Sequence, residues 1–103
     1  MEKLIRDGMV AVLYSPGFGA GWSTWDYSYG EDMIFDPMLA AYIDEGKLDE
    51  AKTYVTMRFP EAYDGGVEDL VVQWLPIGTA FRIHEYDGSE SIEIKEEIDW
   101  VIA

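Results

Sequence analysis

The dipeptide Asp87-Gly88 stands between two stretches of alternating polarity, and that juxtaposition constrains the chain more than any other feature. A two-residue type I′ turn needs positive φ at both central positions, which Asp and Gly tolerate better than most pairs. Upstream, residues 80–86 set Phe81 and Ile83 against Arg82 and His84; downstream, Ser91-Ile92-Glu93-Ile94 continues the alternation. The spacing predicts an antiparallel hairpin with one apolar face. Leu70-Val71-Val72-Gln73-Trp74 reads as a strand leading into it through Pro76-Ile77-Gly78, and Ile98, Trp100 and Ile102 alternate with Asp99 and Val101 as a terminal strand. The last third of the sequence is thus an antiparallel meander.

The first half reads differently. Met9-Val10-Ala11-Val12-Leu13-Tyr14 is a continuous apolar run ended by Ser15-Pro16-Gly17, the pattern of a largely buried strand. Asp36-Pro37 is a helix start, because Asp caps free N–H groups and Pro at the first helical position forfeits no hydrogen bond. Met38, Leu39, Tyr42 and Ile43 form one face of that helix and Gly46 ends it. A second helix is predicted over 48–58, with Asp49 and Glu50 in its first turn, Lys52 and Arg58 later, and an apolar stripe of Leu48, Ala51, Val55 and Phe59. Thr53-Tyr54-Val55-Thr56 is β-prone, so a strand is the competing reading there, and Pro60 ends the element in either case. The fold class expected is α+β: a mainly antiparallel sheet of four to five strands with two short helices packed on one face, in a single domain over residues 1–103.

A chain of 103 residues, 49% hydrophobic and 15% aromatic, has enough apolar surface to fold without staples. It has no cysteine, which removes disulfides, zinc-thiolate sites, Fe–S clusters and thiol nucleophiles together. Residues 1–8 carry neither a signal peptide nor a membrane anchor, and a cytoplasmic location fits. Twenty-one Asp and Glu against seven Lys and Arg give a formal charge of −14, which repels phosphate backbones and anionic lipid and makes a basic protein surface the natural partner. The plainer account of such acidity is solubility.

Chemistry is thinly represented. Gly17-Phe18-Gly19-Ala20-Gly21 follows a strand, but a dinucleotide fingerprint needs glycine where Trp22 stands, and a P-loop needs a lysine that the segment lacks. His84 is the one histidine and sits within a strand; none of Ser15, Ser23, Ser28, Ser89 and Ser91 has the context of a nucleophile elbow. Asp26 to Asp32 offers oxygen ligands, yet an EF-hand would need glycine at the position of Glu31 and glutamate at that of Pro37. No assembled nucleophile, base or metal cluster is evident, so the reading is non-enzymatic, with no cofactor and no metal.

Two acidic segments remain. Glu85, Asp87, Glu90, Glu93, Glu96, Glu97 and Asp99 surround Lys95, and Asp26, Glu31, Asp32, Asp36, Asp44, Glu45, Asp49 and Glu50 surround Lys47. Alternate residues of a strand lie about 6.6 Å apart, close to two steps of the roughly 3.4 Å rise per phosphate along one DNA strand, so a row of carboxylates can imitate a phosphate backbone. A solvated face of an ordinary domain has the same composition. Asp44 and Glu45 lie at the unfavourable end of the first helix dipole. The segment 15–30 adds a second surface: glycines at 17, 19, 21 and 30 set among Trp22, Trp25, Tyr27 and Tyr29 make a long irregular loop whose aromatics either pin it over the sheet or anchor an interface.

The ordered string Arg6-Asp7-Gly8, Val10-Ala11-Val12, Ser15-Pro16-Gly17, Gly19-Ala20-Gly21-Trp22-Ser23-Thr24-Trp25, Phe35-Asp36-Pro37, Gly78-Thr79, Phe81-Arg82-Ile83 and Glu85-Tyr86-Asp87-Gly88 resembles small acidic proteins of bacteriophages and mobile elements. That group has no activity to carry over, so the resemblance assigns no site residue. It implies a host-cytoplasmic setting and inhibition of a nucleic-acid-binding host protein, such as a CRISPR or restriction component. The expected partner-binding residues are Glu85, Asp87, Glu90, Glu93, Glu96 and Glu97, with Trp22, Trp25 and Tyr27 beside them. The alternatives are a small-molecule or divalent-cation module walled by Trp22, Trp25 and Tyr27, and a structural or oligomeric phage protein.

Overall fold

Two Asp-Gly turns organise the strands of the computed structural model, which describes residues 2–17, 21–25, 29–62 and 66–95. The first, Asp7-Gly8 with φ of 52° and 75°, joins β1 (Ile5–Arg6) to β2 (Met9–Tyr14). The second, Asp87-Gly88 with φ of 50° and 83°, joins β4 (Phe81–Tyr86) to β5 (Ser89–Ile94). Both are two-residue loops with positive φ at each position, which matches the right-handed twist of the flanking strands. In register, Arg6 faces Met9 and Tyr86 faces Ser89.

β2 also pairs antiparallel with β3 (Val71–Pro76), from Met9 opposite Pro76 to Tyr14 opposite Val71. The strands therefore form two sheets, β1-β2-β3 and β4-β5, rather than one sheet of four to five strands. The reason lies in β2, whose residues 10–13 are all buried. Ala11 and Leu13 point into a core with the helices, while Val10 and Val12 point the other way, against Leu75, Phe81, Ile83, Ile92 and Ile94. A strand apolar on both faces needs a cover on each side, and the β4-β5 hairpin supplies the second one by stacking instead of extending the sheet.

Three helices cover the other face or its margin. Short α1 (Asp32–Phe35) sends Met33 into the helical core and Ile34 and Phe35 toward the hairpin. The sequence reading had no helix there. α2 (Pro37–Asp44) starts as expected: the Asp36 carboxylate accepts from the Leu39 N–H at 3.0 Å, with Pro37 at the first position. It ends in a Schellman arrangement, with the Lys47 N–H donating to the Tyr42 carbonyl at 2.8 Å, the Gly46 N–H to the Ile43 carbonyl at 3.1 Å, and Gly46 at φ 74°. α3 (Leu48–Arg58) buries Ala51, Val55 and, just past its end, Phe59. Helix, not strand, is the outcome over residues 53–56. Leu48 and Met38, expected on the apolar faces, are exposed. The two expected helices, α2 and α3, pack with β2 and β3, not on the C-terminal hairpin. The proposed terminal strand at residues 98–102 lies outside the described residues.

Candidate interaction surface

The segment after β2 folds back toward the hairpin and is held there by one carboxylate. Glu90, on β5, is fully buried. Its Oε1 accepts from the Ser15 N–H at 2.9 Å, and its Oε2 accepts from the Trp22 N–H at 2.9 Å, the Thr24 N–H at 3.1 Å and the Thr24 hydroxyl at 2.5 Å. A buried charge is tolerable only when so satisfied. Among the described residues, no buried side-chain polar atom lacks a partner.

Trp22 is equally committed to the interior. Its ring meets Phe59 edge-on at 6.1 Å between centroids, and its indole N–H donates to the Met33 carbonyl at 2.7 Å. Tyr29 meets the same Phe59 ring at 4.9 Å. The next turn, a 3-10 helix over Ser23–Trp25, places the Trp25 indole N–H 2.9 Å from Oε1 of Glu85. Glu85 and Glu90 face one another across the β4-β5 ladder, on the inward side. The acidic hairpin and the aromatic loop, which the sequence offered as two separate surfaces, bind each other.

Strand alternation explains what is left outside. The outward positions of the hairpin are Arg82, His84 and Tyr86 on β4, opposite Glu93, Ser91 and Ser89 on β5. Arg82 pairs with Glu93 at 2.7 Å. No row of carboxylates at two-residue spacing runs along the described hairpin, so the phosphate-like spacing expected of it is not realised there. Of the expected partner-binding residues, Glu90 and Trp22 are corrected to interior residues, since neither has exposed surface to offer. Glu85 and Trp25 hold one another at the loop, with Trp25 39% exposed. Asp87 is exposed at the hairpin turn. Glu96, Glu97 and Tyr27 lie outside the described residues.

The second acidic segment surrounds the junction of α2 and α3, where residues 44–50 are all exposed. Asp44, set against the helix dipole, is offset by Arg6 at 2.9 Å, and Glu45 lies 3.6 Å from Lys47. Asp49 and Glu50 occupy the first turn of α3, where the dipole favours them. They line an open groove of about 390 Å³ together with Tyr42 of α2 and Thr53, Tyr54 and Met57 of α3. Glu50, Thr53, Tyr54 and Met57 stand at i, i+3, i+4 and i+7, one face of the helix, beside the stripe of the buried Ala51 and Val55.

The groove wall is rigidly placed. The Tyr42 and Tyr54 rings meet edge-on at 6.1 Å, and the Tyr54 hydroxyl donates to Oδ2 of Asp36 at 2.8 Å. Burial, reinforced by the Asp36 carboxylate, pushes the Tyr54 phenol up to about 12. Arg58 approaches the same oxygen at 3.6 Å and Asp32 at 3.5 Å, tying α1, the start of α2 and the end of α3 together. Sequence reading missed Tyr42, Tyr54 and Met57 as surface residues; their signal was a second helical stripe beside the buried one.

Among the described residues, no three His, Cys, Asp or Glu side chains are grouped so as to hold a metal ion, and no helix is long and apolar enough to cross a membrane. No family model, no curated protein and no solved structure matches the chain.

Proposed function

We propose that the protein works without catalysis, by binding another protein whose surface is basic. Its concrete form is an inhibitor that occupies the nucleic-acid site of a host protein, such as a CRISPR or restriction component. The formal charge of −14 supports the sign of the partner. The observation that carries the reading is the α2–α3 junction, where Asp49 and Glu50 stand beside two half-buried tyrosines, Tyr42 and Tyr54, and the exposed Met57 in one open groove. Acids beside aromatic and thioether groups offer both steering and contact area, which a solvated acidic face alone does not. This moves the expected contact away from the β4-β5 hairpin, whose inward acids are occupied by the loop.

Capture from a bacterial lysate at low and high salt tests the reading. Retained proteins should be basic, should elute as salt rises, and should be displaced by duplex DNA. Retention that ignores ionic strength, or a captured set with no basic surfaces, sinks it.

A further inference from the structure

The α2–α3 groove has a chemical pattern narrower than general acidity. Its rim is negative, from Asp49 and Glu50; its walls are the Tyr42 and Tyr54 rings; and Met57, 78% exposed, lies one helical turn beyond Tyr54. Tyr54 is fixed before any ligand arrives, by its bond to Asp36 and its contact with Tyr42. A wall already ordered loses little entropy on binding. Met57 is the opposite, a flexible and polarizable side chain able to fit varied apolar shapes.

We infer that this groove is the docking site for a basic amphipathic segment of a partner protein, which inserts an apolar side chain between Tyr42 and Met57 while a Lys or Arg meets Asp49 and Glu50. The inference rests on the basic-partner reading above and specifies its site. Charge complementarity selects the occupant. An acidic or neutral apolar segment would bury or crowd Asp49 and Glu50 without a counter-charge, whereas a cationic one can pair with them and also lie over a tyrosine face. A purely basic, non-amphipathic segment would leave the exposed Met57 uncovered. The spacing of Glu50, Thr53, Tyr54 and Met57 along one helical face suits a partner segment laid alongside α3, as in helix-in-groove recognition.

The probe is a synthetic helical peptide of leucine and lysine, titrated into the isotopically labelled protein at low salt. Backbone and methyl shifts should concentrate on Tyr42, Glu50, Thr53, Tyr54 and Met57. The double variant Asp49→Asn/Glu50→Gln should weaken binding roughly two- to thirtyfold, as loss of two exposed ion pairs implies. A control pair at exposed acids elsewhere, Glu31→Gln/Glu61→Gln, makes the same change in net charge and should weaken it far less. Met57→Ser, at an exposed position that leaves the core intact, should weaken binding while preserving its salt dependence.

Peptide that binds with equal loss in both double variants, or with shifts on another face, overturns the groove and leaves the basic-partner reading standing. Peptide that fails to bind also overturns the groove; the lysate capture then decides the broader reading separately. Met57→Ser binding as tightly as the parent removes the apolar half of the inference.

Discussion

Glu90 and Ser15 are bonded to each other twice: the Ser15 N–H donates to the Glu90 carboxylate at 2.9 Å, and the Glu90 N–H donates to the Ser15 carbonyl at 2.8 Å. This reciprocal pair fastens the end of β2 to the hairpin stacked on it. The other carboxylate oxygen gathers Trp22 and Thr24.

Glu90→Gln keeps the shape but turns one acceptor into a donor. The amide oxygen will serve Trp22 and Thr24, which set more donors, leaving the amide NH2 against the Ser15 N–H. We expect a loss of about 2–3 kcal/mol in chemical denaturation, with faster hydrogen exchange at Ser15 than at Trp22. Glu90→Ala strands all the donors and should cost on the order of 3–5 kcal/mol.

Gly21 lies flat against the Trp25 ring, where an added Cβ would sit 2.5 Å from Cγ. Gly21→Ala therefore pushes the indole away and breaks its bond to Glu85. The expected readouts are a change in tryptophan emission and a loss of about 1–3 kcal/mol, typical of overpacking. Trp25→Phe should lose the same bond without the crowding, and so destabilise less.

Asp36 serves two elements at once, capping α2 through Leu39 and accepting from Tyr54 of α3. Asp36→Asn retains the cap and gives up the charge that Arg58 approaches. Asp36→Ala removes cap and acceptor together and should cost roughly 2–3 kcal/mol, the sum of a helix cap and a half-buried hydrogen bond. Thermal unfolding of the two variants against the parent separates the contributions.

Tyr54 should make the fold alkali-sensitive. Its phenol, ordinarily near 10, is raised to about 12 in the fold, chiefly by burial and then by Asp36. The folded state thus holds its proton more tightly than the unfolded state. The associated stability is intact below about pH 10 and is lost as pH rises through about 12. Urea midpoints should fall across that window more steeply in the parent than in Tyr54→Phe. Parallel curves for the two proteins would remove Tyr54 as the cause.

Much of the fold is legible in the sequence where a residue type has few options. Asp87-Gly88, Asp36-Pro37 and Gly46 fix a turn, a helix start and a helix stop, and each stands where expected. The division into two sheets is not legible, because alternation tells which face of a strand is apolar and not which layer it meets. The continuous apolar run of β2 announces burial on both sides without naming either cover. Asp7-Gly8 carries the same turn signal as Asp87-Gly88, but its upstream strand is only Ile5–Arg6, too short to show a period. Glu90 is the instructive miss. As one acid among many it reads as a surface residue, yet it shares its strand face with Ile92 and Ile94, which turn inward. A charge in register with apolar neighbours points to a buried anchor. For the groove, helical spacing places Glu50, Tyr54 and Met57 together, while Tyr42 joins them only through the packing of α2 on α3.

The Ser15–Glu90 clamp spans 75 positions, and β2 finds its hydrogen-bonding neighbour β3 only after all three helices have been made. During synthesis this strand, apolar on both faces, therefore emerges before either of its covers. The helices can form early from local contacts, but the strand they rest on has only the two-residue β1 beside it until β3 and the hairpin arrive. Closing loops that long comes before the reward of making the contacts, so folding should be one late, concerted event. A fragment ending before β5 should expose the apolar face of β2 that the hairpin covers and aggregate, which makes β5 the gatekeeper of solubility for β2.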